Sequence, residues 1–294
     1  MADLRNGDVR ALARAISYAE NGVEDYSALL AETPPAKVPV IGVTGPPGAG
    51  KSTLVDALIG HFIGEGKKVA VLCVDPSSTF YYGALLGDRI RMSDWYNHPS
   101  VFIRSLATRG SLGGLHPRII EITDLLRSAP FDLILVETVG VGQNEIEIVG
   151  LADATLVVLA PEAGDDIQSM KAGLLEIADI FVVNKSDRPD ADAMVRNLRM
   201  MQTGGDEGER REPVVVKTIA LQKEGIPALA ALIMEQLTRA RSSRKYFRVL
   251  AEQAYLLIQY KKMRAIDKRE LEKRIGELCE RNAFNLYRFV DEWV

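Results

Sequence analysis

Nine residues set the architecture of this 294-residue chain: Gly45-Pro46-Pro47-Gly48-Ala49-Gly50-Lys51-Ser52-Thr53. They follow the apolar run 40–44, VIGVT, and precede a helical pattern of apolar residues. A glycine-rich turn between a buried strand and a helix lets backbone N–H groups converge on phosphate oxygens, and the helix N-terminus adds partial positive charge. The stretch therefore predicts a phosphate-binding loop, with Lys51 on the β- and γ-phosphates and the Ser52 hydroxyl on Mg²⁺.

Short β-branched runs alternate with helical stretches on the C-terminal side of this loop. Continuous apolar strands that alternate with helices predict a mostly parallel sheet covered on both faces. We therefore predict an α/β fold of the P-loop NTPase type, with ligands at the carboxyl ends of the strands. The predicted strands are 40–44, 69–74, 101–103, 133–136, 155–160, 180–183 and 214–216.

Helical patterns flank the predicted sheet at both ends of the chain. Glycine and proline nearly vanish beyond Ile226, and an apolar stripe of helical spacing runs over 250–278. Such a stripe must be buried, either in a homodimer or by folding back on its own domain. The polar stretch 203–212 predicts a surface loop. The predicted divisions are an N-terminal helical arm (1–37), a nucleotide-binding domain (38–237) and a C-terminal helical dimerisation region (238–294).

Composition argues against several other classes of protein. Apolar residues make up 47% of the chain and charged residues 26%, which is typical of a globular protein. The net charge of −4 provides no basic field for nucleic acid or an anionic membrane. Cys73 and Cys279 are not in a metal-ligand spacing, and the three histidines show none. Without an apolar run of membrane-spanning length or a signal-peptide pattern, we expect a cytoplasmic protein.

A second motif, Asn184-Lys185-Ser186-Asp187, follows the predicted strand 180–183. A carboxylate at Asp187 can accept from both N1–H and the 2-amino group of guanine, whereas adenine offers no such donor pair. Asn184 either reaches the other edge of the base or braces neighbouring loops, and the Lys185 stem can lie across the ring. The alternative for Asp187 is a helix N-cap before Pro189.

A third motif, 135–143, again ends a predicted strand. Glu137 can hold Mg²⁺ directly or through water, and the Gly140 N–H can sense a γ-phosphate. The alternative is a glycine-rich turn capped by Asn144. Asp75 and Asp88 are further acidic candidates for the same site, with simple caps as their alternative.

Together these segments resemble one family, the MeaB/ArgK-type GTPases, which are G-protein chaperones of adenosylcobalamin-dependent acyl-CoA mutases. The resemblance covers residues 38–235 closely and the helical ends in layout only. It rests on eight motifs in the family's order and approximate spacing: GPPGAGKST, VDPSS, LGDRIRM, ATRGSLGGL, ETVGVGQ, AGDDIQ, EIADI and NKSD.

The resemblance implies a GTP-hydrolysing chaperone that binds GTP, GDP and Mg²⁺ and gates adenosylcobalamin delivery to, or protection of, an acyl-CoA mutase. An adenosyltransferase is a second implied partner. Asp75, Asp88 and Glu137 match the family's acidic residues around Mg²⁺, and together with Lys51 they form the implied catalytic set. A third switch is implied over 160–171. The implied switch and relay residues are Gln143, Asp165, Gln168 and Lys171.

Two departures from the family pattern affect these expectations. Phe80, Tyr81 and Tyr82 replace the usual proline and small residues after VDPSS, which puts the usual partner surface in question. The base loop 219–221, Ile219-Ala220-Leu221, begins with Ile219 where the family usually has serine. The Ala220 N–H can still reach guanine O6, so we expect nucleotide binding to survive.

Three other functions compete with this interpretation. The same loop serves kinases and other phosphotransferases, although no second substrate site or catalytic base is evident. A targeting GTPase should carry a methionine-rich domain, and a nickel-insertion GTPase usually carries histidine-rich tracts; neither feature occurs here. A non-hydrolysing guanine-nucleotide module is disfavoured by the number of acidic residues near the expected metal.

Arg104 and Arg109 are either phosphate contacts or surface arginines.

Overall fold

The computed structural model of the chain contains both strands and helices, with a run of helices at its C-terminal end. It describes residues 4, 6–21, 30–31, 38–75, 92–108, 115–138, 145–161, 178–200, 203–204, 210–211, 214–240, 244–263 and 266–293. The strands are β1 (Val40–Thr44), β2 (Val69–Asp75), β3 (Val101–Ala107), β4 (Leu133–Glu137), β5 (Ala154–Leu159), β6 (Ile180–Val183), β7 (Thr203–Gly204), β8 (Arg210–Arg211) and β9 (Val214–Lys217). The helices are α1 (Val9–Asn21), α2 (Lys51–Gly64), α3 (Ile119–Arg127), α4 (Ala191–Met200), α5 (Ile226–Ala240), α6 (Arg244–Met263), α7 (Lys268–Glu280) and α8 (Leu286–Asp291). Short 3-10 turns span Ser93–Trp95, Glu145–Gly150 and Ala220–Gln222.

The seven longer strands form one parallel sheet in the order β3-β2-β4-β1-β5-β6-β9. All residues of β1, β4, β5 and β6 are buried, as expected for parallel strands covered on both faces. The predicted parallel α/β fold is confirmed. Edge strand β3 is longer than predicted, because its ladder with β2 continues through polar Arg104 and Ser105 to Ala107.

Helices cover the sheet through side chains that alternate along each strand. Ile41 and Val43 of β1 pack in one apolar cluster with residues of α2 and α5. Val157 and Leu159 of β5 point to a different cluster, which includes α4. The opposite face of β1 bears Gly42, where a Cβ atom would lie 2.5 Å from Cγ1 of Ile148. The turn Glu145–Gly150 can therefore approach the central strand only because position 42 has no side chain.

Three aspartates at the amino edge of the sheet connect neighbouring strands. Each precedes a strand and accepts a hydrogen bond from an amide at the start of the adjoining strand. These amides lie where the ladder begins, so the carboxylates supply acceptors that the ladder does not. The pairs are Asp132 with the Lys68 amide (2.7 Å), Asp153 with the Val40 amide (2.8 Å) and Asp179 with the Thr155 amide (2.8 Å).

The N-terminal helix packs on the nucleotide-binding fold. Helix α1 contacts α3 and buries Leu12, Ile16 and Ala19. Farther along the chain, the predicted surface loop 203–212 is wrong for its four described residues, because Thr203–Gly204 pairs with Arg210–Arg211 in a two-residue antiparallel ladder.

Two compact units divide the chain, Met1–Gln253 and Ala254–Val294. In the first unit, α6 buries Val249 and Gln253, whereas Leu250 of the predicted stripe is 42% exposed. In the second unit, Phe289 is buried and Arg274 lies over its ring, 5.8 Å from the centroid. The functional division into 1–37, 38–237 and 238–294 stays a prediction. Among the described residues, no helix combines the length and apolar character of a membrane span.

Candidate active site

The phosphate loop connects the central strand β1 to α2. Its backbone takes positive φ at Gly45 (137°), Gly48 (78°) and Gly50 (92°). A Cβ atom at Gly45 would lie 2.1 Å from the Val158 carbonyl oxygen, and one at Gly50 would lie 2.4 Å from Nδ2 of Asn184. Glycine at these two positions therefore satisfies both an unusual backbone and a close approach. The first helical bond of α2 runs from the Leu54 amide to the Gly50 carbonyl, so the loop leads directly into a helix N-terminus.

The Lys51 side chain lies over the loop that precedes it. It is buried, and its Nζ donates to the carbonyl oxygens of Gly45 at 2.8 Å and Pro46 at 3.1 Å. These bonds hold the ammonium group against the backbone of the loop. Lys51 is therefore positioned to interact with an anion held by the backbone amides.

Ser52 and Glu137 bring the loop and the end of β4 together. The Ser52 hydroxyl donates to Oε1 of Glu137 at 2.7 Å, and both side chains are buried. The β1–β4 register, which pairs Val43 with Glu137, carries the carboxylate to the loop. A hydroxyl has one donor and two acceptor lone pairs, so Ser52 can keep this bond and still ligate a cation.

The hydroxyl of Ser52 and the carboxylate of Glu137 offer oxygen atoms of the kind that Mg²⁺ binds. That cation keeps several waters and uses one or two protein ligands together with substrate phosphates. In the described part of the chain, no group of three or more His, Cys, Asp or Glu residues forms a metal cage. Asp75 ends β2, whose Cys73 pairs with Glu137, so its backbone lies at the same carboxyl edge of the sheet.

Asn184 connects the phosphate loop to the loop at 218–220. Its Nδ2 donates to the Ala49 carbonyl oxygen at 3.0 Å, and its Oδ1 accepts from the Thr218 hydroxyl at 3.2 Å and the Ala220 amide at 3.0 Å. Asn184 was predicted either to reach the edge of the base or to hold neighbouring loops together, and in the structure it holds the loops together. Because the Ala220 amide already donates to Asn184, a bond from it to guanine O6 would have to share or replace that contact.

Asp187 lies three residues after Asn184, at the surface of the protein. The Ser186 amide donates to the Thr218 carbonyl at 3.1 Å, and Lys185 takes a positive φ of 55°, which turns the chain away from β6. Asp187 is exposed. Helix α4 begins only at Ala191, so Asp187 does not cap it. The carboxylate is therefore accessible for a ligand at the end of β6.

The base loop 219–221 lies beside Asn184. Ile219 pairs with Glu224 through two backbone bonds, and Leu221 is 84% exposed. The turn closes at Gly225, where φ is 75° and a Cβ atom would lie 2.3 Å from the Lys217 carbonyl oxygen. The Thr218 hydroxyl was missed in the sequence, although a threonine directly before the base loop is a recognisable signal.

Arg104 does not reach the phosphate loop. Its guanidinium donates to Glu20 of α1 at 2.6 Å and to the Ser17 hydroxyl at 3.1 Å. The suggestion that Arg104 contacts phosphate is therefore wrong for this structure, and its role is to attach α1 to the edge strand β3. Several predicted residues lie outside the described ranges: Asp88, Arg109, Gly140, Gln143, Asp165, Gln168 and Lys171.

Comparisons with known proteins agree with this geometry. A family model described as "Methylmalonyl Co-A mutase-associated GTPase MeaB" matches residues 12–274. A Pyrococcus abyssi protein named as a GTPase is 46% identical over 237 residues, which are 79% of this chain and 73% of that protein. The GTPase ArgK of Escherichia coli is 37% identical over 262 residues, which are 85% of this chain and 79% of ArgK. The Fused isobutyryl-CoA mutase of Cupriavidus metallidurans is 43% identical over 198 residues, which are 65% of this chain and 18% of that protein.

Solved structures give the same result for the fold. The crystal structure described as LAO/AO transport system kinase has a TM-score of 0.63 and 26% identity, and the match covers 99% of this chain and 94% of that one. The hydrogenase maturation factor HypB from Archaeoglobus fulgidus has a TM-score of 0.50 and 16% identity, with coverage of 78% and 98%. The second likeness concerns the fold alone. The predicted P-loop NTPase class is confirmed.

Proposed function

The chain belongs to the MeaB family of GTPases, and from this membership we propose that its GTP hydrolysis gates adenosylcobalamin delivery to, or protection and reactivation of, an acyl-CoA mutase. One observation supports the client class above all others. The matching region forms 18% of a protein named Fused isobutyryl-CoA mutase, so a related segment is joined to a mutase in one polypeptide. Covalent fusion gives two domains a high effective concentration, which is favoured where they act on each other.

The phosphate loop and its neighbours provide the hydrolytic residues in this proposal. The amides of 45–53 would bind the phosphates, and Lys51 would exchange its loop carbonyls for β- and γ-phosphate oxygens. Ser52 and Glu137 would hold Mg²⁺, which supplies charge neutralisation on the phosphates when bound. Asp75 and Asp88 are the further acidic residues in the proposed set, and the Gly140 amide would sense the γ-phosphate.

Guanine would bind between the loops that Asn184 connects. The exposed Asp187 carboxylate would accept from N1–H and the 2-amino group, and the Lys185 stem would cover one face of the ring. Ile219, Ala220 and Leu221 would form the other side of the base site. The buried Asn184 would position these groups without touching the base edge.

The partner would act through a relay. Family resemblance assigns this relay to residues 160–171 and to Gln143, with Asp165, Gln168 and Lys171 as its functional side chains. An intrinsic hydrolysis rate on the order of 10⁻⁴ to 10⁻² s⁻¹ is usual before a partner completes such a site. A slow intrinsic rate suits a chaperone, because the client then controls when the nucleotide is consumed.

Exposed apolar side chains on α6 support the proposed homodimer. Ile258 and Met263 of the second compact unit are each 55% exposed, and burial of such apolar side chains against another chain stabilises association. A second copy of the chain would bury them through the region 238–294. The proposed setting is the cytoplasm, with an adenosyltransferase as a second partner.

The test is GTP hydrolysis by the full chain alone and with purified acyl-CoA mutases. We expect one mutase, among methylmalonyl-, isobutyryl- and hydroxyisobutyryl-CoA mutases, to accelerate hydrolysis at least about tenfold. Albumin serves as the protein control and ATP as the nucleotide control. The proposal fails if no mutase changes the rate or binds the chain. Transfer of labelled γ-phosphate to an acceptor other than water would instead favour a kinase.

A further inference from the structure

Two buried threonine hydroxyls meet beside the phosphate loop. The Thr138 hydroxyl donates to Oγ1 of Thr44 at 3.0 Å, and the two residues are 4% and 0% exposed. Thr44 ends β1 and directly precedes Gly45, the first residue of the loop. Thr138 directly follows Glu137, the last residue of β4. The hydroxyl pair thus joins the ends of the two strands from which the site is built.

The backbone strengthens this connection. The Thr138 amide donates to the Val43 carbonyl oxygen at 3.0 Å, which continues the β1–β4 pairing one residue beyond the strand. Thr138 is therefore attached to β1 by its main chain and its side chain together. Glu137, one residue earlier, is held at the position where its Oε1 accepts from Ser52.

These contacts close a circuit around the loop. It runs from Thr44 through the loop to Ser52, across the hydrogen bond to Glu137, and back through Thr138 to Thr44. Mg²⁺ requires near-ideal octahedral geometry, so a small displacement of one protein ligand weakens its binding. We infer that the Thr44–Thr138 hydroxyl pair is a positioning element that fixes Glu137 against Ser52 for Mg²⁺. This inference rests on the magnesium site proposed above.

Thr155 supplies a matched control. It lies in β5, pairs in register with Gly42 of β1, and is fully buried like Thr44. Its hydroxyl makes no hydrogen bond among the described residues. Thr155→Val therefore exchanges a buried hydroxyl for a methyl group in the same sheet without breaking a bond.

The experiment measures the affinity of the full chain for fluorescent GDP with Mg²⁺ and with chelator. We define the magnesium gain as the dissociation constant in chelator divided by the dissociation constant with Mg²⁺, so tighter binding with Mg²⁺ gives a larger gain. We expect Thr138→Val to reduce this gain about fivefold, the effect of one net hydrogen bond, while affinity in chelator stays within about twofold of wild type. Thr138→Ser keeps the hydroxyl and should restore the gain, and Thr155→Val should match wild type.

A double variant separates positioning from folding. Thr138→Val leaves the Thr44 hydroxyl buried without its donor, which lowers stability. The double variant Thr44→Val with Thr138→Val replaces both partners by apolar groups, so we expect its melting temperature to be close to that of wild type. Its magnesium gain should still be reduced. If both variants keep the gain of Thr155→Val, the positioning role is wrong while the magnesium site stands. If wild type has no magnesium gain, the site and this inference both fall.

Discussion

Nδ2 of Asn184 lies 3.0 Å from the carbonyl oxygen of Ala49, so a residue at the end of β6 holds the phosphate loop from 135 positions away in the chain. The Oδ1 atom of the same amide accepts from the Ala220 amide and the Thr218 hydroxyl. One buried side chain thus fixes the phosphate loop relative to the base loop. In the proposed function, phosphate recognition and base recognition are therefore coupled through Asn184.

Asn184→Ala should therefore lower stability and nucleotide affinity together. It removes three buried hydrogen bonds, for a loss of about 3 kcal/mol if each contributes about 1 kcal/mol. Thr218→Val removes only one of them and should show about a third of that loss. Denaturant unfolding and GDP titration measure the two effects. Unchanged GDP affinity in Asn184→Ala, at reduced stability, would show that Asn184 supports folding alone.

Asp187→Ala should weaken GDP binding at least about tenfold, because charge-assisted hydrogen bonds contribute about 1.5–3 kcal/mol each. Asp187→Asn should shift preference toward xanthine nucleotides, since its amide can donate to the extra carbonyl of that base. Asp192→Asn is the control, because Asp192 is exposed nearby but pairs with Lys217 at 2.8 Å. The preference is measured by competition between GDP, xanthosine diphosphate and ADP for binding to each variant. Equal ATP and GTP affinity in the wild type would disprove guanine selection.

The aspartates at the amino edge of the sheet should differ in their effects on stability. Asp153→Ala leaves the buried Val40 amide without its side-chain acceptor and should cost about 1–3 kcal/mol. Asp132→Ala affects an exposed bond to the Lys68 amide, which water can replace, so a smaller loss is expected. Denaturant midpoints with unchanged m-values provide the comparison. If Asp132→Ala lost more stability than Asp153→Ala, burial of the hydrogen bond would not determine its contribution to stability.

Lys171→Ala tests the relay. Intrinsic hydrolysis and nucleotide affinity should stay within about threefold of wild type, while most of the acceleration by the mutase is lost, because only the assembled state uses that contact. Rates with and without saturating mutase give both quantities from one preparation. An equal loss of intrinsic and stimulated hydrolysis would instead place Lys171 in the basal active site.

Light scattering on the full chain tests the homodimer. Wild type should have the mass of two chains at micromolar concentration, and Ile258→Glu should shift it toward one chain by placing a charge on an apolar surface. Lys261→Gln, at an exposed polar position on the same helix, makes the same change of one unit in net charge and is the control. A monomeric wild type at high concentration would exclude the dimer.

Local patterns were enough to predict the phosphate loop, the parallel sheet and the position of Asp187. A strand that runs into glycines and a helix has one common geometry, and a buried parallel strand has a continuous apolar sequence. These features depend on neighbours within about ten residues, so they can be recognised without knowing which strands pair.

Tertiary pairing alone decided which polar side chains meet. Asn184 could reach either the base or the phosphate loop, and only the placement of β6 beside β5, with the loop at the end of β1, selected the loop. Arg104 was as compatible with phosphate as with a surface role, until α1 brought Glu20 to 2.6 Å from it. The Thr44–Thr138 contact joins residues 94 positions apart and has no local signature. Hydrogen bonds are short and directional, so their partners follow from the strand order and register of the whole sheet, which residue periodicity does not specify.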